Sequence, residues 1–195
     1  LCDPQPGRAG TKIGALHTFA ADNSTSWLGG GWTIASDRAR AETTAMWQAK
    51  QTESGGVVTV MAHFSTVTWA GNGVLTVIVD GDGVSGGFRC EVLQDTDGDG
   101  IDELVAVELG GETKTMNLGT IVPDMPLTVS ALRAGDIGTT PGVFYCKATY
   151  DSRTREVRLT APSETIVGQY AFGSTGAVSE VTSVIVYTSP PPCLK

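Results

Sequence analysis

GVVTVMAHF, residues 56–64, sets Val57, Thr59, Met61 and His63 against Val58, Val60, Ala62 and Phe64. Alternate side chains of an extended chain point to opposite faces, so both faces of this stretch are partly apolar, as in a strand lying inside a sandwich. Strand patterns of the same kind recur on both sides of it: 31–35, 39–44, 73–79, 86–93, 103–109, 113–118, 127–132, 143–150, 156–161, 168–172 and 181–188. About a dozen short strands require two sheets, which predicts an all-β antiparallel sandwich with less than about a tenth of its residues in helix. The one helix candidate, 41–51, contains Thr43, Thr44 and Trp47 without a 3.6-residue apolar stripe, and reads as a strand running into a loop. AGNG at 70–73, GDGVSGG at 81–87 and GSTG at 173–176 read as turns. The Gly-rich stretches at 81–87 and 173–176 do not join a strand to a helix, so they give no support to a phosphate cradle.

A chain of 195 residues suffices for one β domain, here expected over 1–195, with 1–12 and 189–195 as extended Pro-containing ends. Its 25 glycines and 17% charged residues suit short strands and tight turns. The formal charge of −8, with basic residues scattered, argues against a nucleic-acid partner and suits cations. No apolar run reaches the roughly 20 residues of a membrane helix, so no membrane insertion is expected. The chain opens at Leu1 without an initiator Met, which fits a secreted product after signal removal and equally a trimmed chain.

The four cysteines, Cys2, Cys90, Cys146 and Cys193, show no CxxC spacing, and only His17 and His63 could join them around zinc. Disulfides are therefore expected, and of three connectivities the favoured one joins Cys2 with Cys193, tying the irregular ends, and Cys90 with Cys146, both in strand-like segments. Such bridges imply an oxidising, extracellular compartment.

DTDGDGIDEL, residues 95–104, carries the clearest local chemistry. Oxygen-bearing side chains at loop positions one, three, five and nine, with Gly100 at six, can converge on one Ca²⁺. The expected ligands are the carboxylates of Asp95, Asp97, Asp99 and Glu103 and the backbone carbonyl of Ile101, with Asp102 pointing away. Position twelve is Ala106, so the loop is not a complete EF-hand. It resembles the acidic loops of integrin-type FG-GAP repeats and, more loosely, of dockerins and thrombospondin type 3 repeats.

Two further stretches, FAADNSTSWLGGGWTIASDRARAET at 19–43 and GQYAFGSTGAVSEVTSVIVYTS at 168–189, resemble the first and last strands of the concanavalin A-like lectin/glucanase jelly rolls. That resemblance implies a two-sheet jelly roll whose first and last strands lie side by side, which independently places Cys2 near Cys193. Glucanases of this family carry a strand motif like E-x-D-x-x-E, two carboxylates on one face for glycoside cleavage. No such string occurs here, and the nearest pairs, Asp80 with Asp82 and Asp151 with Glu156, read as solvated turns. His63 reads as a sheet-face or core histidine.

Sugar rings stack on aromatic faces, so the tryptophans are the residues a lectin would use. Trp32 alternates with Ile34 and reads as core, whereas Trp27, among Ser, Thr and Gly, and Trp69, beside the 70–73 turn, are the expected ligand-binding platforms. The reading is a non-catalytic recognition or adhesion module that binds glycan, with calcium as its structural ion. Its rivals are a building block of a surface layer, appendage or virion, partnered by other protein subunits, and a divergent glycan hydrolase or lyase.

Overall fold

A computed structural model describes residues 13–19, 24–50, 58–81, 87–133, 143–160 and 168–188. Among these there are eleven strands and one short 3₁₀ turn, Ser24–Ser26. In chain order the strands are β1 Ile13–Thr18, β2 Trp27–Ala35, β3 Arg38–Ala49, β4 Val58–Val79, β5 Phe88–Leu93, β6 Glu103–Glu108, β7 Thr113–Asn117, β8 Leu127–Arg133, β9 Phe144–Tyr150, β10 Arg153–Leu159 and β11 Tyr170–Tyr187.

Every pairing is antiparallel. The two long strands β4 and β11 lie side by side and each serves both layers of the sandwich. Residues 74–79 of β4 pair with 170–175 of β11 and with β5, which continues the layer through β6 and β7, while β3 and β2 extend it on the other side. Residues 58–64 of β4 pair with β8, leading to β9 and β10, and the end of β11 pairs with β1.

The passage between layers falls where the sequence suggested turns. Residues 70–73 and 173–176 lie inside β4 and β11. The register there steps from Thr175↔Val74 to Ala177↔Trp69, so four residues of β4 bulge opposite Gly176. Gly71 (φ 107), Asn72 (φ 49) and Gly176 (φ 60) take up left-handed backbone, and a Cβ on Gly176 would stand 2.6 Å from the Gly71 carbonyl oxygen. A bulge sharpens the local twist and bends the strand, which is how one continuous strand can serve two layers. Three further expectations are corrected. β1 was missed because IGALHT exposes every other residue and carries only a weak pattern; β3 continues through Thr43 and Trp47 to Ala49; and Asp80 is not a solvated turn residue, being only 3% exposed.

Two structures fill the space between the layers. At the β5–β9 end, Cys90 and Cys146 form a disulfide across the sandwich with Cα atoms 4.8 Å apart, as expected, and Phe88 stacks on Phe144 at 5.0 Å. At the β1–β3 end the filling is aromatic: Trp27 stacks on Trp47 at 5.9 Å, and Phe172 meets Trp27 and Trp32, each at 5.0 Å. Trp32 is core, as its alternation implied. The favoured Cys2–Cys193 bridge and the extended ends lie outside the described residues.

Candidate functional site

The β5–β6 connection holds the acidic loop. Asp95, Asp97, Asp99 and Glu103 each offer a carboxylate oxygen within 4.8 Å of the others. Short side-chain-to-backbone bonds shape the turn: Asp95 Oδ1 accepts from the Gly100 amide (3.0 Å), Asp97 Oδ1 from Asp99 (3.2 Å) and Asp99 Oδ1 from Ile101 (2.8 Å). Glu103 accepts from the amide and hydroxyl of Thr96. Each of these carboxylates has further lone pairs, and an all-oxygen set of this charge matches the hard-ligand chemistry of calcium.

Asp102 does not join the group. It is 3% exposed and braces the loop from behind: Oδ1 accepts from the Asp95 amide, and Oδ2 from the Ile121 amide (2.7 Å) and the Trp69 indole N–H (3.3 Å). Trp69 is thus half-buried, with its ring packed over Gly73, where a Cβ would come within 2.2 Å of it. Its polar handle is engaged in holding the loop. Trp27 is corrected more sharply: at 4% exposed, inside the aromatic stack, it presents no platform to solvent. Sequence reasoning took small, polar neighbours as a sign of exposure, but Gly29 and Gly31 are there because Cβ atoms on them would strike the β3 backbone at 2.3 Å.

The outer face of the β2–β7 layer carries the feature that sequence missed. Register places Gly30, Met46, Gly173, Thr76, Glu91, Val105 and Thr115 in one row across seven strands. At its β2–β3 end an open cleft of about 420 Å³ is lined by Leu28, Gly30, Thr44, Met46 and Gln48 among others. Gly30 leaves the cleft open: nothing lies within 4 Å of where its Cβ would be, and its φ is ordinary. Four strand spacings of about 4.8 Å put Glu91 roughly 19 Å along the same row. Burial raises the Glu91 carboxyl above its usual range, against the opposing pull of the Arg89 guanidinium 3.3 Å away. The signal for this row was the period-2 pattern of the strands, but pairing partners are set by tertiary register and were not in view.

Asp80 and Arg133 form a buried ion pair at 2.6 Å, with the Gly168 amide donating to the other Asp80 oxygen at 2.7 Å. Arg133 is fully buried and fastens the ends of β4 and β8 to the start of β11. Asp151, in the β9–β10 turn, is exposed, as expected. His63 lies half-buried on β4 and shares a hydrogen bond with Thr128.

No protein-family model matches the sequence, and no curated protein matches it. Solved structures do. The chain is similar to a Bacillus licheniformis β-glucanase, with TM-score 0.62, 12% identity, and 95% of this chain and 100% of that one covered. It is similar to winged bean acidic lectin in complex with methyl-α-D-galactose, with TM-score 0.65, 10% identity and coverage of 90% and 98%. It is also similar to the exoplasmic/lumenal domain of VIP36 in its Ca²⁺/Man3GlcNAc-bound form, with TM-score 0.62, 11% identity and coverage of 84% and 83%. The expectation of a chain without catalytic activity is overturned as a deduction: glucanases resemble it as closely as lectins do, so lacking an E-x-D-x-x-E string does not set it apart from enzymes. The likeness of the acidic loop to FG-GAP and dockerin loops rests on its residues alone. The chain has the two-sheet jelly-roll fold shared by concanavalin A-like lectins and glucanases.

Proposed function

We propose that the protein binds glycan on the outer face of the β2–β7 layer. The observation that carries this is the glycine-floored cleft at Leu28, Gly30, Met46 and Gln48. A pyranose has an apolar C–H face and a polar rim; Leu28 and Met46 offer the first a surface, and Gln48 and Thr44 offer hydrogen bonds to the second. The winged bean and VIP36 structures, both holding sugars, support a glycan as the ligand class. A second reading, cleavage of the bound glycan, is favoured by Glu91 alone: a carboxyl whose pKa burial raises, in the row that leads from the cleft, is suited to general-acid work.

In this reading one Ca²⁺ is held by Asp95, Asp97, Asp99, Glu103 and the Ile101 carbonyl, with water completing about six or seven oxygens at about 2.3–2.6 Å. The ion would fix the β5–β6 loop against β7 through Asp99 and Asn117. The protein acts outside the reducing cytoplasm, a placement supported by the Cys90–Cys146 bridge.

Calorimetric titration with a panel of neutral oligosaccharides, with reducing ends counted in the same samples, tests both readings. Saturable binding by at least one glycan is expected. Absence of binding across the panel would remove the first reading, and binding without new reducing ends would remove the second.

A further inference from the structure

Two hairpins of this chain are built alike. SDRAR at 36–40 and DSRTR at 151–155 each place Asp and Ser in a two-residue turn and follow it with arginines at alternate positions. The backbone matches too: Ser36 (φ 51) and Asp37 (φ 64) join β2 to β3, and Asp151 (φ 47) and Ser152 (φ 59) join β9 to β10. Ala35 pairs with Arg38 across the first turn and Tyr150 with Arg153 across the second. Left-handed backbone at both turn positions suits the twist of the flanking strands and fixes their register. Alternate residues of a strand share a face about 6.8 Å apart, so each hairpin presents two guanidinium groups side by side.

In the first hairpin these groups hold an acid. Arg38 Nη1 donates to Glu180 Oε2 at 2.6 Å and Arg40 Nη1 to Glu180 Oε1 at 2.7 Å, one guanidinium to each oxygen. Hydrogen bonds from Arg38 and Arg40 hold the Glu180 carboxyl below its usual range. Glu180 reaches them from β11, which lies on the side of β3 away from its hairpin partner β2.

In the second hairpin the same place is open. β10 is the last strand of its layer, with β9 on one side and no strand among the described residues on the other. Arg153 and Arg155 are exposed and form no ion pair with a described residue, whereas Arg38, Arg40, Arg89 and Arg133 each hold an acid. The nearest acids along the chain do not serve them: Asp151 lies in the turn, and Glu156 faces the opposite side of the strand, in register with Lys147. The strands that β10 chiefly packs against, β6, β7 and β9, fall within 87–133 and 143–160, both described throughout. Charged side chains on an edge turn away most strands that could add to it, and two cations in this arrangement make an exception for an acidic one.

From this internal likeness we infer that the β10 edge binds an extended acidic segment of a partner protein. The segment adds as a strand beside β10, as β11 does beside β3, and brings a Glu or Asp side chain to Arg153 and Arg155. Main-chain bonds supply the contact. In a two-residue hairpin the pairs 150/153 and 148/155 bond to each other, which turns the backbone N–H and C=O of Thr154 and Glu156 toward the open edge. The arginine pair supplies selection, through charge-assisted hydrogen bonds to a carboxylate that a neutral strand lacks.

A six-residue peptide alternating Glu with Thr serves as the probe, beside the same peptide with Gln in place of Glu, and polygalacturonate as a carboxylate carrier without a peptide backbone. Amide NMR signals of the isotope-labelled protein are followed at constant pH and salt. The Glu peptide should move the amides of 153–158 saturably and leave those of the Gly30 cleft in place, and the Gln peptide should bind at least about fivefold more weakly. Arg153→Gln with Arg155→Gln should weaken the Glu peptide by at least about fivefold and keep the melting temperature, since both side chains are exposed. Unmoved β10 amides, equal binding of the Gln peptide, or unchanged affinity in the normally folded double variant would overturn the proposal. So would polygalacturonate moving the same amides as tightly as the peptide, which would assign the edge to an anionic glycan.

Discussion

The two ends of the sandwich are filled in different ways. At the β5–β9 end the layers are locked by a covalent bridge, by Phe88 on Phe144 and by the fully buried Asp80–Arg133 pair. At the β1–β3 end they are held by stacked indoles and Phe172, with the Gly30 cleft open outside the stack. Aromatic stacks supply much buried area per residue, so few side chains suffice there and small residues can be placed at the surface above them. The bridge and the ion pair make the β5–β9 end the anchor, and the β1–β3 end is the one proposed to bind glycan.

Breaking the anchor should have the largest effect. Arg133→Ala leaves Asp80 buried without its ion-pair partner and should cost about 3–5 kcal/mol in urea unfolding, with glycan affinity unchanged wherever the chain remains folded. A change below about 1 kcal/mol would show that the pair is not a lock. Cys90→Ser with Cys146→Ser should cost somewhat less, about 2–4 kcal/mol, since the bridge closes a loop of 56 residues in the unfolded chain. A melting curve that does not respond to reductant would remove the bridge from this end's account.

The proposed calcium loop lies between β5 and β6, on the anchored side. Binding to the folded state alone adds RT ln(1 + [L]/Kd), about 2.7 kcal/mol at a hundredfold excess over Kd. The melting temperature should therefore rise with calcium and fall with chelator, and Asp97→Ala should abolish the difference while the sandwich stays folded. Identical curves with calcium and chelator would reject the site.

The smallest effect concerns protons. Burial lowers the pKa of both His17 and His63 below the ordinary 6.5. As pH falls through about 6.5 the unfolded chain takes up these protons before the folded one, so stability is full above that value and declines below it. The melting temperature should drop modestly between about pH 7.5 and pH 5.5, and His63→Gln should flatten part of the slope. A rise over that interval would contradict the burial of these rings.

Strand identity was legible wherever one stretch carried its own alternation, as at Val58–Phe64 and Glu103–Glu108. The turn reading failed at 70–73 and 173–176 because Gly and Asn serve a bulge as well as they serve a hairpin, and only the partner strand decides which. The acidic loop was legible because its spacing is local. The cleft was not, since it depends on Gly30 lying beside Met46 and Met46 beside Gly173, neighbours brought together from three strands. Trp27 was misjudged for the same reason: its burial is set by Trp47 and Phe172, far along the chain.

Gly30 offers the most direct test of the claim that the open end binds glycan. It stands between Gly29 (φ 102) and Gly31 (φ 89), whose backbone and close contacts exclude side chains, yet it has room for one itself. Gly30→Leu should fill the cleft without strain. Glycan affinity measured by calorimetry should then fall by at least about tenfold while the melting temperature stays within about 2 °C of the parent, because a surface substitution of this kind changes stability by about 0.5 kcal/mol or less. Full affinity in a normally folded Gly30→Leu protein would place the glycan elsewhere and contradict the account.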